Sequence, residues 1–238
     1  MGDEASGKPL NQCIGAYGFY DYDDEPIYVG QTTENYGTRI GRHLTGQRSD
    51  TLAYRILDPF EVAKMVLWPL ESARALPKAQ KVAAIDQLEY SVYLSAIEQS
   101  KYGAILNEKI PPVADRLVEL PASYEFDLVP PAMRDEREHP DVRIARRAET
   151  LARVAAVAHE RGEVSPGLRR VIVIQAVRLA DLAAGRLAYA EGRARPAADA
   201  IDVHKLVGNV RSESANGASV DEIDDLSTEF ANDGTEND

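Results

Sequence analysis

Cysteine and long apolar runs are the two things this 238-residue chain most lacks. Its single cysteine, Cys13, excludes an internal disulfide and a cysteine-based zinc site, and it favours a reducing compartment. No apolar run approaches the roughly 18 residues that a membrane-spanning helix needs, and no apolar segment typical of a signal peptide follows the start. The sequence therefore predicts a soluble, cytoplasmic protein without a membrane partner.

Positive charge is also in deficit, because the formal net charge is −12 at pH 7. Such a total argues at first against a nucleic-acid partner. The deficit is uneven: residues 1–120 carry 12 Lys/Arg and 17 Asp/Glu, residues 121–205 carry 14 and 13, and residues 206–238 carry 1 and 9. The last segment thus holds 8 of the 12 excess negative charges, which says little about the surface of the folded part.

The first half of the chain has the patterning of a small sheet with helices. Residues 14–30 alternate around an acidic turn that ends in Pro26, and this predicts a β-hairpin. A third strand is predicted over Phe60–Trp68, and a long amphipathic helix over residues 78–100. With apolar residues at 44%, the chain can form a core. We expect an α+β fold with a small three-stranded antiparallel sheet flanked by helices.

The second half reads as a helical hairpin. Long helical patterns cover Pro140–Arg161 and Ser165–Gly192, and Ser165-Pro166 has the residues of a helix start. From about residue 206 the composition becomes polar and acidic, which predicts disorder. We therefore predict four parts: a flexible N-terminus over residues 1–12, a compact unit over 13–120, a helical C-terminal region over 121–205 and a disordered acidic tail over 206–238.

Two tyrosines next to glycines mark the strands of the predicted hairpin. The first lies in Gly15-Ala16-Tyr17 and the second in Tyr28-Val29-Gly30. An arginine and a histidine, Arg39 and His43, follow four residues apart, so that both lie on one face of a predicted short helix. Taken singly, strand tyrosines are usually sheet residues with satisfied hydroxyls, and such charged pairs are usually an exposed helix face.

Two further polar residues extend this pattern. Glu89 lies at the edge of the apolar stripe of the long helix, and Asn107 follows the end of that helix. In this order the residues resemble the GIY-YIG nucleases over roughly residues 13–110, and His43 is similar to the histidine of restriction-type members. Two features depart from the family: Gln31 stands where many members have lysine, and the 18 residues from Glu89 to Asn107 exceed the interval in short members.

The resemblance implies a metal-dependent DNA endonuclease that hydrolyses phosphodiester bonds, with residues 13–120 as its nuclease domain. A phenol of pKa about 10 is a poor base at neutral pH, so Tyr17 would need a nearby cation. Arg39 suits that need, since its charged planar fork also grips phosphate. The implied roles are general base or relay for Tyr17, a contact to water or phosphate for Tyr28, phosphate contacts for Arg39 and His43, binding of one Mg²⁺ (or Mn²⁺ in its place) for Glu89, and positioning for Asn107.

Several alternatives remain open at this stage. Glu61, Glu71 and Glu98 are other carboxylates that could take the metal-binding role. The chain could also be a non-catalytic DNA- or protein-binding module that retains the fold, or a structure-specific nuclease of repair or recombination.

Two charged groups need an interpretation of their own. The acids Asp21, Asp23, Asp24 and Glu25 are interpreted as a solvated hairpin tip, since no calcium-binding loop surrounds them. Eight arginines on the two long helices either form a basic face for the DNA backbone or pair with Glu149, Glu160, Glu163 and Asp181 on a solvated surface. These arginines are Arg143, Arg146, Arg147, Arg153, Arg169, Arg170, Arg178 and Arg186.

Overall fold

The computed structural model describes residues 2–45, 56–160 and 164–213, except for the side chains of residues 43–45. Its sheet has four antiparallel strands in the order β2-β1-β3-β4, which are β1 Gly15–Tyr20, β2 Pro26–Thr32, β3 Lys64–Pro69 and β4 Tyr124–Asp127. The α+β class is confirmed, but the prediction of three strands is wrong. The fourth strand comes from a proline-interrupted stretch and pairs with the outer edge of β3.

Six α-helices lie within these described ranges: α1 Tyr36–Thr45, α2 Lys78–Gln99, α3 Pro131–Glu138, α4 Pro140–Glu160, α5 Pro166–Ala190 and α6 Val203–Val207. Ser165 caps α5 as predicted, because its hydroxyl accepts the backbone N–H of Leu168 at 3.1 Å. The described helices include none with the length and apolarity to span a bilayer.

The β1–β2 hairpin is closed by the side chain of Asp21. Its Oδ1 accepts the backbone N–H of Asp23 at 2.8 Å and that of Glu25 at 3.2 Å, while Asp24 adopts a positive φ of 56°. The register pairs Tyr17 with Gly30 and shifts at a bulge after Phe19. The turn thus fixes which residues face each other across the two strands.

The main apolar core joins the sheet to the helical hairpin. Helix α2 packs across β1 and β2, and α4 packs on α5. The same core cluster contains Phe19 of the sheet, Val154 of α4 and Val171 of α5. The predicted boundary at residue 120 falls between β3 and β4, so the fourth strand belongs to the stretch assigned to the helical region.

Residues 208–213 lie along α2. The hydroxyl of Tyr93 donates to the carbonyl of Val210 at 2.6 Å, and that of Tyr90 donates to the carbonyl of Arg211 at 3.0 Å. Val210 is buried in the main core. The rest of the predicted acidic tail, residues 214–238, falls outside the described residues.

The four acids of the hairpin tip were interpreted as solvated, and this interpretation is wrong for Asp21 and Glu25. Asp21 is 2% exposed and Glu25 is 4% exposed. Oδ2 of Asp21 lies 2.8 Å from Nη2 of Arg147 and 3.1 Å from Nη2 of Arg178. Glu25 accepts hydrogen bonds from Ser100 Oγ and from the backbone N–H of Lys101 at the end of α2.

The arginines of the two long helices were interpreted either as a basic face for DNA or as partners of acids on a solvated surface. Neither interpretation describes the main contacts that these arginines make. Arg143, Arg147 and Arg178 are buried, and they converge on acids of the hairpin and of the loop before β3. Arg147 Nε lies 2.8 Å from Glu61 Oε2, and Arg146 holds Asp58 with two bonds of 2.8 Å. We call this set the ion cluster: Asp21, Glu25, Asp58, Glu61, Arg143, Arg146, Arg147 and Arg178.

Candidate active site

Tyr17 lies in the middle of β1 and is 0% exposed. Its ring packs against those of Phe19, Tyr28 and Tyr36, with centroid distances of 5.5, 6.4 and 6.5 Å. Gly30 is its partner on β2, and a Cβ placed there would lie 2.6 Å from the Tyr17 hydroxyl oxygen. The glycine of Tyr28-Val29-Gly30 therefore leaves the space that the Tyr17 ring occupies.

Gly15 has a comparable role at the start of β1. Its φ is +149°, and a Cβ there would lie 2.2 Å from the Trp68 carbonyl oxygen and 2.3 Å from the Tyr36 hydroxyl. That hydroxyl donates to the carbonyl of Ala16 at 2.9 Å. Tyr36, which no motif of the sequence marked, thereby ties the first turn of α1 to β1 and positions Arg39 one turn later.

Arg39 brings a positive charge to the Tyr17 hydroxyl. Burial raises the pKa of Tyr17 to about 12, although the charge of Arg39 and its hydrogen bond to the hydroxyl act in the opposite direction. Arg42, three residues further along α1, also lowers the pKa of Tyr17, but by less than Arg39 does. Tyr17 therefore holds its proton at neutral pH, because the cation only partly offsets the burial.

Glu89 of α2 interacts electrostatically with both Tyr17 and Arg39. Burial, and secondarily the negative charge of Asp86, raise the pKa of Glu89 to about 7, while Arg39 lowers it. In return, the charge of Glu89 raises the pKa values of Tyr17 and Tyr28. Four of the predicted site residues, each from a different element, therefore interact electrostatically: Tyr17, Tyr28, Arg39 and Glu89.

Asn107 acts on the backbone of β2. Its side-chain oxygen accepts the N–H of Val29 at 3.0 Å, and its side-chain N–H donates to the carbonyl of Val29 at 2.8 Å. The adjoining Leu106 N–H donates to the carbonyl of Ile27 at 2.8 Å. These bonds fix the strand on both sides of Tyr28, whose pKa burial raises well above its usual value.

The other carboxylates considered for metal binding have partners elsewhere. Glu71 accepts the backbone N–H of Ile14 at 2.7 Å and pairs with Arg74, and its pKa falls to about 2 because these bonds outweigh partial burial. Glu61 belongs to the ion cluster. Glu98 lies 3.8 Å from Arg211 at the far end of α2.

Glu89 and Asp86 are the carboxylates near the site that could bind one hard cation. Across the described side chains, no group of three or more His, Cys, Asp or Glu could hold a metal ion. Mg²⁺ keeps several of its waters and needs only one or two carboxylates. Glu89 and Asp86, one helical turn apart on α2, can supply these. His43 lies in α1, and its side chain falls outside the described residues.

Comparisons of the chain with family models, with curated proteins and with solved structures find no match. The chemistry of the side chains is therefore the basis for assigning a function. A guanidinium beside a protonated phenol can bind an anionic oxygen and move a proton, and a carboxyl with a pKa of about 7 can bind a cation or accept a proton.

Proposed function

We propose that the chain is a metal-dependent DNA endonuclease of the GIY-YIG type. One observation supports this function above the others: Arg39 of α1 donates a hydrogen bond to the Tyr17 hydroxyl of β1, and the charge of Glu89 of α2 acts on both groups. Hydrolysis of a phosphodiester needs a cation on the phosphate oxygens, a route for the proton of the attacking water and help for the leaving oxygen. These three residues have the functional groups for the first two tasks.

Arg39 binds the non-bridging phosphate oxygens, since its guanidinium keeps its charge and can donate two parallel hydrogen bonds. Tyr17 enters the reaction protonated, because its pKa is about 12. It therefore acts as a relay, which takes a proton from the attacking water while it passes its own proton to a second water molecule in the site. Asn107 holds β2, and in this way Tyr28, beside that path.

The carboxyl of Glu89, with Asp86 one turn away, would hold Mg²⁺ or Mn²⁺, and the bound ion would supply positive charge for the scissile phosphate and the leaving 3′ oxygen. Ionisation of Glu89 is favoured by such a cation and by Arg39, against the effect of burial. His43 is proposed as a second phosphate contact on the strength of the resemblance alone.

Cleavage of supercoiled plasmid with Mg²⁺, followed by mapping of the ends, tests this function. We expect Tyr17→Phe and Glu89→Ala to abolish cutting while the circular dichroism spectrum is kept. Tyr20→Phe, on the opposite face of β1, and Glu98→Gln, at the exposed end of α2, are the matched controls and should cut normally. Full cleavage by Glu89→Ala would assign the metal to another carboxylate, and full cleavage by both active-site variants would refute the proposal.

A second function is a non-catalytic DNA- or protein-binding module. The complete burial of Tyr17 favours it, since a relay must reach the attacking water. Binding of DNA without any cleavage, and with no effect of Tyr17→Phe, would support this module. Within the enzyme class, preferential cleavage of branched over linear DNA would identify a structure-specific nuclease.

A further inference from the structure

The helical hairpin carries a cavity at one of its ends. Its volume is about 320 Å³, and it lies where the start of α4 meets the end of α5. The lining residues are Pro140, Leu182, Gly185, Arg186, Tyr189 and Arg195. Tyr189 is 76% exposed, the most exposed of the large hydrophobic side chains in the described part of the chain. A cavity of this size suits one small organic group.

The guanidinium groups in the cavity wall are held in place by acids. Arg186 makes two bonds to the carboxylate of Asp141, at 2.8 and 2.9 Å. Arg195 Nη2 donates to Asp181 at 2.8 Å. In the described part of the chain these bonds use two of the five N–H groups of Arg186 and one of those of Arg195, so each guanidinium keeps donors for a ligand.

Gly185 allows the guanidinium of Arg195 to pack closely against α5. A Cβ at this position would lie 3.0 Å from Nε of Arg195 and 3.3 Å from its Cζ. The Arg195 side chain therefore packs directly on the helix backbone. The Arg186 guanidinium lies 5.4 Å from the centroid of the Tyr189 ring. An aromatic ring and two oriented cations thus face one small volume.

We propose that this cavity binds an unpaired base of a DNA strand. The base stacks on Tyr189, as bases do on exposed aromatic rings of proteins that bind single strands, and the adjoining phosphate contacts Arg186 and Arg195. A ligand with a flat ring next to an anion matches this combination of an aromatic face and N–H donors. The inference rests on the proposed function for DNA as the partner, but not on cleavage.

The cavity is remote from the candidate active site. Gly167, at the start of α5, packs on the carbonyl of Glu108, next to Asn107. Tyr189 follows 22 residues later on the same helix, which is about 33 Å at 1.5 Å per residue. An unpaired strand at the cavity is therefore a separate anchor, and its loss should weaken binding without changing the chemistry at Tyr17.

The test is the affinity of the full chain for a fluorescein-labelled twelve-residue oligothymidylate, measured by anisotropy in EDTA to prevent metal-dependent cleavage. We expect Tyr189→Ala to weaken binding about tenfold, since stacking on an aromatic ring is typically lost to that extent. Gly185→Ala should also weaken binding, because it displaces Arg195 while it favours the helix. Leu187→Ala, at a position 52% exposed on the same helix, is the control and should bind as the unmodified chain does.

Equal affinities for Tyr189→Ala and Leu187→Ala would overturn the proposal, as would a failure of the unmodified chain to bind the oligonucleotide. The proposed endonuclease activity can be refuted independently of the base-binding cavity. Tyr17→Phe should abolish plasmid cleavage and leave the oligothymidylate affinity unchanged. Binding through Tyr189 without any cleavage of DNA would support the base-binding cavity and refute the proposed endonuclease activity.

Discussion

Replacement of Asp21 by asparagine removes one negative charge from the centre of the ion cluster. Oδ2 of Asp21 lies 2.8 Å from Nη2 of Arg147, 3.1 Å from Nη2 of Arg178 and 3.2 Å from Nη2 of Arg143. The other carboxylate oxygen accepts two backbone N–H groups of the hairpin turn, and an asparagine oxygen can still accept them. Asp21→Asn thus removes the negative charge and keeps the hydrogen bonds of the hairpin turn intact.

The cost follows from the burial of the remaining guanidinium groups. Removal of one partner of a buried ion pair typically destabilises a protein by about 3–5 kcal/mol, because an uncompensated charge is left in a medium of low dielectric constant. We expect a loss of this size in the free energy of unfolding. At a denaturant dependence of about 2 kcal/mol per molar urea, the midpoint should fall by roughly 1.5–2.5 M.

The effect should also depend on pH. Burial by itself would raise the pKa of Asp21, but Arg178, Arg147 and Arg143 together lower it below its usual value. A carboxyl whose pKa is depressed in the folded state stabilises the fold above its unfolded pKa, near 4, and this contribution is lost as the pH falls through the folded pKa. The difference between Asp21→Asn and the unmodified chain should therefore shrink in acid.

Urea titrations followed by circular dichroism and by the fluorescence of Trp68 measure these changes. Asp23→Asn is the matched control, since its side chain is 42% exposed and its contact is with Arg143 Nη1 at 3.0 Å. That variant should lose less than about 1 kcal/mol. If Asp21→Asn costs no more than Asp23→Asn at pH 7, the assigned role of the ion cluster is wrong.

Three further predictions concern the candidate site. Gly30→Ala should destabilise the fold by about 1–3 kcal/mol in thermal denaturation, because its Cβ would lie 2.6 Å from the Tyr17 hydroxyl. The control is Gly41→Ala, which should be neutral or stabilising because its Cβ would have no described atom within 4 Å. Asn107→Ala should cost about 1–3 kcal/mol for each β2 backbone group left unpaired, measured by urea unfolding. Since burial raises the folded pKa of Glu89 to about 7, the stability of the unmodified chain should fall between pH 4.5 and 7 relative to that of Glu89→Gln, and parallel stability curves would contradict this.

Sequence patterning predicted the local elements well. The hairpin over residues 14–30, the long helix α2 and the two helices of the C-terminal hairpin follow from alternation, helical periodicity and capping residues. The third strand begins at Lys64 rather than at Phe60, because Asp58 accepts the backbone N–H of Phe60 and holds a turn there. Local chemistry thus decides most of these boundaries.

The fourth strand was missed although a weak signal was present. Tyr124-Glu125-Phe126-Asp127 alternates, with the two aromatic residues half-buried and the two acids exposed. The strand is only four residues long and lies among prolines and charges, so a pattern over a longer window does not detect it. Its pairing with β3 depends on a partner some sixty residues earlier in the chain.

The burial of the hairpin acids depends on contacts that no local pattern contains. The sequence separation from Asp21 is 126 residues for Arg147 and 157 for Arg178. One signal was available: Arg143 and Arg147 share a helix face with Val154 and Val157, which are core positions. Charged residues at core positions of a helix indicate buried partners. The roles of Tyr17, Arg39 and Glu89 in catalysis remain predictions.

The ion cluster also has a consequence for the timing of folding during synthesis. Asp21 leaves the ribosome 126 residues before Arg147, which corresponds to about 6–25 s at 5–20 residues per second. Throughout that interval the hairpin carboxylates have no guanidinium partners and stay hydrated. The N-terminal strands therefore cannot bury their connecting turn until most of the chain has been made, and the nascent sheet is exposed to chaperones and proteases for that time.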